Sequence, residues 1–438
     1  MSAKSRTTGA RQQRLTSYLD RLSEAAGHAD RAVPLKLYCT GLLLPGERKS
    51  VEPMAARLAP DNIRRMHQSL HHVVADAAWS DEALLGCTRD YALAAMTKTS
   101  PVAAWIVDDT GLPKKGTHSV GVARQYCGQT GKKDNCQVAV SLSVATWTAS
   151  LPVAYRLYLP ETWANDSQLR QRAKIPTDIA FQTKLEIALG QIRQAIADGI
   201  PQGTVLADPA YGNDTGFRQA VARLELSYVL GIQSTTTVWP PGTQPLPAPA
   251  YSGRGRPANR VRRDAEHAPA SAKQLALSLP AKAWKTVTWR EGTRHPLRSR
   301  FAAVRVRPAH RDHQLQQPRE QEWLLIEWPR GEPEPRKYWL SNLADNIRLR
   351  DLVALAKQRW IIERDYEELK QELGLGHFEG RGWRGFHHHA TLSIAAYGFL
   401  VAERSRFSPS VRGGHLGLSV PELPPNYQPR GSHPSGTP

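Results

Sequence analysis

Residues 103–116 read AAWIVDDTGLPKKG, and this stretch decides the fold. The apolar run Ala104, Trp105, Ile106 and Val107 has the length and residue types of a buried strand. It stops at two acids, Asp108 and Asp109, before a Gly/Pro turn that carries Lys114 and Lys115. The same arrangement recurs in residues 203–212, GTVLADPAYG, where Thr204, Val205, Leu206 and Ala207 run into Asp208. A third acid, Glu363, sits in residues 358–373, QRWIIERDYEELKQEL, a stretch rich in helix formers. Two acids at the ends of buried strands and one on a later helix can hold a pair of divalent cations. Such a pair, about 4 Å apart, is a device for in-line displacement at phosphorus. Phosphodiester chemistry on an α/β scaffold is the expectation.

Outward from these acids the chain divides by pattern. Residues 1–32 are polar and basic and read as a flexible arm able to lie on phosphates. Residues 33–98 are helical, with Ile63, Met66, Leu70, Val73 and Val74 at helical spacing beside Arg64, Arg65, His67 and His71. An ordinary amphipathic helix and a small DNA-binding domain are both consistent with that pattern. Residues 99–233 give strands, then helices and strands in alternation. NCQVAVSLSVAT alternates as a half-exposed strand does, and FQTKLEIALGQIRQAIADGI reads as an amphipathic helix. Residues 234–339 open with a Pro-, Gly- and Arg-rich segment and continue as short strands, a β-rich insertion. Residues 340–405 return to helices, and the Pro-, Gly- and Ser-rich residues 406–438 read as a disordered tail. The fold class is therefore α/β, a mixed-sheet core interrupted by a β-rich insertion behind a helical N-terminal domain.

Composition agrees with a nucleic-acid partner, although ribosomal and membrane-surface proteins can be as basic. Lys and Arg number 58 against 40 Asp and Glu, a formal charge of +18, which favours contact with a polyanion. The first residues lack an apolar core of the secretory type, and no run of about 18 apolar residues occurs, so neither a signal peptide nor a membrane span is expected. A cytoplasmic protein fits these features. Cys39, Cys87, Cys127 and Cys136 lack CxxC spacing and read as reduced thiols. No Walker A loop, GxGxxG or HExxH is present, which argues against ATP-driven, dinucleotide-dependent and zinc-peptidase chemistry.

Each signal has a plainer reading. At 100° per residue, positions 4 and 11 along one helix lie about 40° and 20° from the start, so Arg359, Glu363 and Lys370 would share a face. An ion-pair ladder on a solvated helix explains that as well. Acids at strand ends often cap turns. Lys114, Lys115 and Arg124 are candidate DNA contacts or a solvated loop. His387, His388 and His389 could contact phosphate, pack or face solvent. Trp239 could stack on an unpaired base or fill a core.

Taken together, DDTGLPKKGTHSVGVARQYCGQTGKKDNCQ, VLADPAYG and QRWIIERDYEELKQELGLGHFEGRGWRGFHHHATL resemble the DDE transposases of bacterial insertion sequences. With GLLLPGERKSVEPMAARL, the likeness spans residues 33–403. It implies an RNase H-like core and a metal-binding triad of Asp109, Asp208 and Glu363, with Asp108 the alternative to Asp109. The long interval from Asp208 to Glu363 agrees with the β-rich insertion of that family. The Tyr-x2-Arg-x3-Glu-x6-Lys signature of the family matches at Arg359, Glu363 and Lys370, while its tyrosine falls on Ala356. The implied cofactor is Mg²⁺ as two ions, with Mn²⁺ as a substitute. The implied partners are double-stranded DNA, as terminal inverted repeats and target, and a second copy of the chain on that DNA. A transposase-derived DNA-binding protein without cleavage and a stand-alone nuclease are the alternatives.

Overall fold

A computed structural model describes residues 3–251, 253, 256, 258–290 and 295–407. The disordered tail expected at 406–438 lies outside them from residue 408 onward. Two compact units emerge. One comprises Met1–Val102, Asp108–Ile192 and Ile361–Pro438, the other Ala103–Val107 and Arg193–Trp360.

The first unit opens with helices α1 (Ala3–Ala25), α2 (Ala29–Leu43), α3 (Val51–Leu58), α4 (Ile63–His71) and α5 (Asp81–Met96). The stretch expected as a loose arm is thus helical, and the reason is legible in its apolar spacing. Leu15, Tyr18, Leu19 and Leu22 fall at i, i+3, i+4 and i+7 and are all buried. The Tyr18 hydroxyl donates to the Ala395 carbonyl at 2.8 Å, and the Arg14 guanidinium donates to both carboxylate oxygens of Glu403.

Strands follow: β1 (Ala104–Pro113), shared between the units, then β2 (Ala123–Cys127), β3 (Lys132–Ala145) and β4 (Ser150–Leu157). β3 pairs antiparallel with β2 and with β4. From Cys136 to Ala145, β3 is buried on both faces rather than half-exposed. Its alternating small polar residues mislead, because Ser141 is buried and bonds to Tyr366. Short helices α6 (Glu161–Ala164) and α7 (Ser167–Arg172) lead to α8 (Lys184–Ala197), whose Gln191 amide donates to the Val140 carbonyl at 3.0 Å.

In the second unit the start of β1 pairs parallel with β5 (Thr204–Ala207), Ala104 opposite Thr204. β5 pairs parallel with β6 (Tyr228–Ile232), and between them lie α9 (Pro209–Gly212) and α10 (Thr215–Arg223). The β-rich stretch supplies β7 (Thr237–Trp239), β8 (Ala270–Ser271), α11 (Ala272–Ser278), β9 (Lys285–Arg290), β10 (Leu297–Pro308), β11 (Glu322–Trp328) and β12 (Lys337–Ser341). β12 pairs antiparallel with β6, so this stretch extends the same sheet rather than standing apart. The strand order is β2-β3-β1-β5-β6-β12-β11-β10-β7-β8, with β4 on β3 and β9 on β10. This is the mixed α/β sheet of an RNase H-like fold. Ile232, Val238, Leu275, Val306, Leu324, Ile326 and Leu340 form its local core. Trp239, next to Val238 on β7, is also fully buried, with its indole N–H on the Asp312 carboxylate at 2.5 Å. It fills the core and is not presented to a base. α12 (Leu349–Gln358) closes this unit. α13 (Trp360–Gln371) and α14 (Trp383–Arg406) follow, and from Ile361 the chain belongs to the first unit.

Candidate active site

Strand β1 carries the first acids out of a fully buried run. Residues 104–107 are inaccessible, and Asp108 and Asp109 are half-buried at the point where the strand leaves them. The Asp109 carboxylate is held by Lys184, the first residue of α8, through Nζ and Oδ2. The start of α8 is fixed in turn, since Thr183 donates through its N–H and hydroxyl to the Glu186 carboxylate at 2.8 and 2.9 Å. Lys184 also lies 5.8 Å from the centre of the Tyr158 ring. Nothing in the amphipathic pattern of this helix singled out Lys184; only the tertiary fold brings it to the acid.

Helix α13 is fastened to β1 on both sides of Asp109. On one side the Tyr366 hydroxyl bonds to the Ser141 hydroxyl, which donates to the Asp108 carbonyl at 3.3 Å. On the other, Lys370 Nζ donates to the Gly111 carbonyl at 3.2 Å. Glu363 precedes Tyr366 by three residues and Lys370 by seven, so the three fall within about 60° on the helix. Glu363 is exposed at the open end of that row. Asp365, on another side of α13, is buried and accepts from the hydroxyls of Ser150 and Tyr397, the latter at 2.7 Å. Burial pushes its carboxyl up to about 7 against the effect of those two bonds.

In the second unit, Asp208 ends β5 and caps α9. Its Oδ1 accepts the Ala210 N–H at 2.9 Å, so the cap reading of this acid holds as well. The fit of α9 on β6 requires glycine, because a Cβ at Gly212 would lie 2.0 Å from the Gly231 carbonyl oxygen.

The cations sort differently from the sequence expectation. Arg359 does not share a helix with Glu363 and Lys370. It forms the C-cap of α12, and α13 begins one residue later, so the even rotation assumed for one helix is interrupted there. Lys370 is half-buried, with its Nζ on the Gly111 carbonyl, and burial lowers its pKa. Lys114 is committed likewise, donating to the Phe378 carbonyl at 2.9 Å. Lys115 and Arg124 are exposed, with Arg124 on β2.

The three histidines pack. His387 donates through Nδ1 to the Trp383 carbonyl at 3.0 Å and accepts the Leu157 N–H at 3.2 Å. His388 stacks on Trp79 with centroids 3.5 Å apart. His389 donates to the Gly374 carbonyl and accepts from the Tyr38 hydroxyl, both at 2.9 Å. Burial pushes their pKa values down to about 4, 3 and 4, which keeps them neutral and unsuited to holding phosphate.

Hard carboxylate oxygens on Asp109, Asp208 and Glu363 are the donors that Mg²⁺ takes. The donor chemistry therefore fits a divalent ion. Among the described residues, no group of three or more His, Cys, Asp or Glu side chains is gathered closely enough to hold a metal. One cation already sits on Asp109, the ammonium of Lys184. No described helix is long and apolar enough to cross a membrane.

Comparison with known proteins gives two results. A probable transposase for insertion sequence element IS701, from Microchaete diplosiphon, is 30% identical over 189 residues, which cover 43% of this chain and 45% of that protein. The chain thus matches less than half the length of this relative. A family model described as DDE superfamily endonuclease matches residues 21–296, a span that includes Asp109 and Asp208 and ends before Glu363. With more than half of its length matched, the chain belongs to the DDE superfamily endonucleases.

Proposed function

We propose that the chain is a DNA transposase that nicks DNA at the ends of an insertion sequence and joins the freed ends to target DNA. The observation that carries this reading is the double fastening of α13 to β1 around Asp109, which gives Glu363 a fixed place on the helix row of Tyr366 and Lys370. The name of the IS701 relative and the charge of +18 support it.

In this reading Asp109, Asp208 and Glu363 are the catalytic acids and hold Mg²⁺. The bound ion supplies Lewis-acid activation of the attacking oxygen and charge stabilisation for the leaving one. Tyr366 and Lys370 hold α13 in register so that Glu363 keeps its position, which makes Lys370 a positioning residue here. Lys115, Arg124 and Arg359 contact DNA phosphates, and the N-terminal helices read the terminal inverted repeats. Joining two ends in one event requires two copies of the chain on the DNA, and the site of action is the bacterial nucleoid.

The test uses labelled duplexes taken from the two borders of the element that encodes the chain, with Mg²⁺ and with EDTA. Mg²⁺-dependent cuts at the border followed by joined products support the proposal. Cutting without joining would make it a nuclease, and tight binding without cuts a DNA-binding relic.

A further inference from the structure

We infer that Lys184, paired with Asp109, competes with a divalent ion for that carboxylate and so sets the ion concentration at which the ion binds. The inference rests on the reading of Asp109 as a metal ligand. Lys184 Nζ occupies Oδ2 of Asp109, an oxygen that an ion would need. A half-buried carboxylate left without a counter-charge is unfavourable, and the ammonium removes that cost before the ion arrives.

The lysine is built into this position. It begins α8, where the Thr183–Glu186 bonds fix the helix start, so its backbone does not drift from Asp109. Its ammonium lies within range of the Tyr158 ring, a second site of negative potential on which the displaced cation can rest. Asp109 and Lys184 keep 21% and 32% of their side-chain surface exposed, which leaves a path for water and a hydrated ion. On exchange the carboxylate gives up a monovalent ammonium and takes a divalent ion, so the site gains one positive charge.

Mn²⁺ binding to the full chain, followed by electron paramagnetic resonance without DNA, reads the competition directly. Lys184→Met keeps the apolar stem and removes the charge, and loss of a partly exposed pair of this kind gives about fivefold tighter Mn²⁺ binding. Lys184→Arg is expected to bind Mn²⁺ like the wild type. Unchanged affinity in Lys184→Met, with binding lost in Asp109→Asn, would overturn the role of Lys184 and leave the acid assignment standing. Wild-type affinity in Asp109→Asn would sink the acid assignment itself. A second readout needs no variant: reductive methylation of Lys184 in the wild-type chain, followed by mass spectrometry, should speed up severalfold when Mg²⁺ is added. A rate indifferent to Mg²⁺ contradicts displacement.

Discussion

Asp365 offers a sharp test of how α13 is held. Its carboxyl is buried, it accepts two hydroxyl hydrogen bonds, and burial places its pKa at about 7 against an ordinary 3.8. The folded-state pKa lies above the unfolded one, so the group contributes stability below about pH 4 that is lost as pH rises to about 7. From pH 5 to pH 7 that loss amounts to about 1.4 kcal/mol per unit, or roughly 3 kcal/mol. Asp365→Asn keeps an acceptor for Tyr397 and turns an amide toward Ser150, whose hydroxyl can accept. The variant therefore escapes the loss. Its stability relative to wild type should rise by about 3 kcal/mol between pH 5 and pH 8, in urea unfolding followed by circular dichroism. Because Asp81 is also raised to about 7 by burial, the difference between variant and wild type is the quantity to measure. A constant difference across that range, or a variant less stable than wild type at pH 8, refutes a protonated Asp365 in the fold.

If Glu363 is a metal ligand as proposed, Glu363→Gln should lower cleavage by about a thousandfold or more while DNA affinity in gel shifts stays level or tightens, since the basic surface remains. Retained cleavage would move the third acid elsewhere on α13. Lys370→Met should cut cleavage by about tenfold with DNA affinity little changed, because its bond goes to the Gly111 carbonyl; a large loss of affinity instead would restore a phosphate contact. Gly212→Ala should cost about 3 kcal/mol in urea unfolding, because its Cβ meets the backbone of Gly231 and not a side chain that can move. Arg124→Ala should weaken DNA binding alike on all sequences and reduce the slope of log affinity against log salt by about one; an unchanged slope removes Arg124 from the DNA surface.

The sequence made the strand ends legible because buried runs and the acids that stop them are local patterns. Residues 104–109 and 204–208 needed no tertiary knowledge, and neither did the helical character of residues 360–371. Lys184 was illegible, since its pairing with Asp109 spans 75 positions and leaves no mark on the local period. Ser141 of β3 was misread for a related reason. Alternation of Val and Ser signals a wet face only when nothing polar waits above it, and the Tyr366 hydroxyl does. Arg359 was placed by assuming one helix where the chain builds two. The N-terminal helix could have been found from Leu15, Tyr18, Leu19 and Leu22, but the high charge of its flanks masked that stripe.

The pairing of β12 with β6 has a consequence for shortened copies of the chain. β6, Tyr228–Ile232, is buried at all five positions, and Lys337–Ser341 is the ladder that covers its outer side. A product ending between Ile232 and Lys337 would expose that strand as an apolar border with open N–H and C=O groups. Such borders recruit their own kind into aggregates. A copy cut short in that interval would then make protein that removes itself from solution.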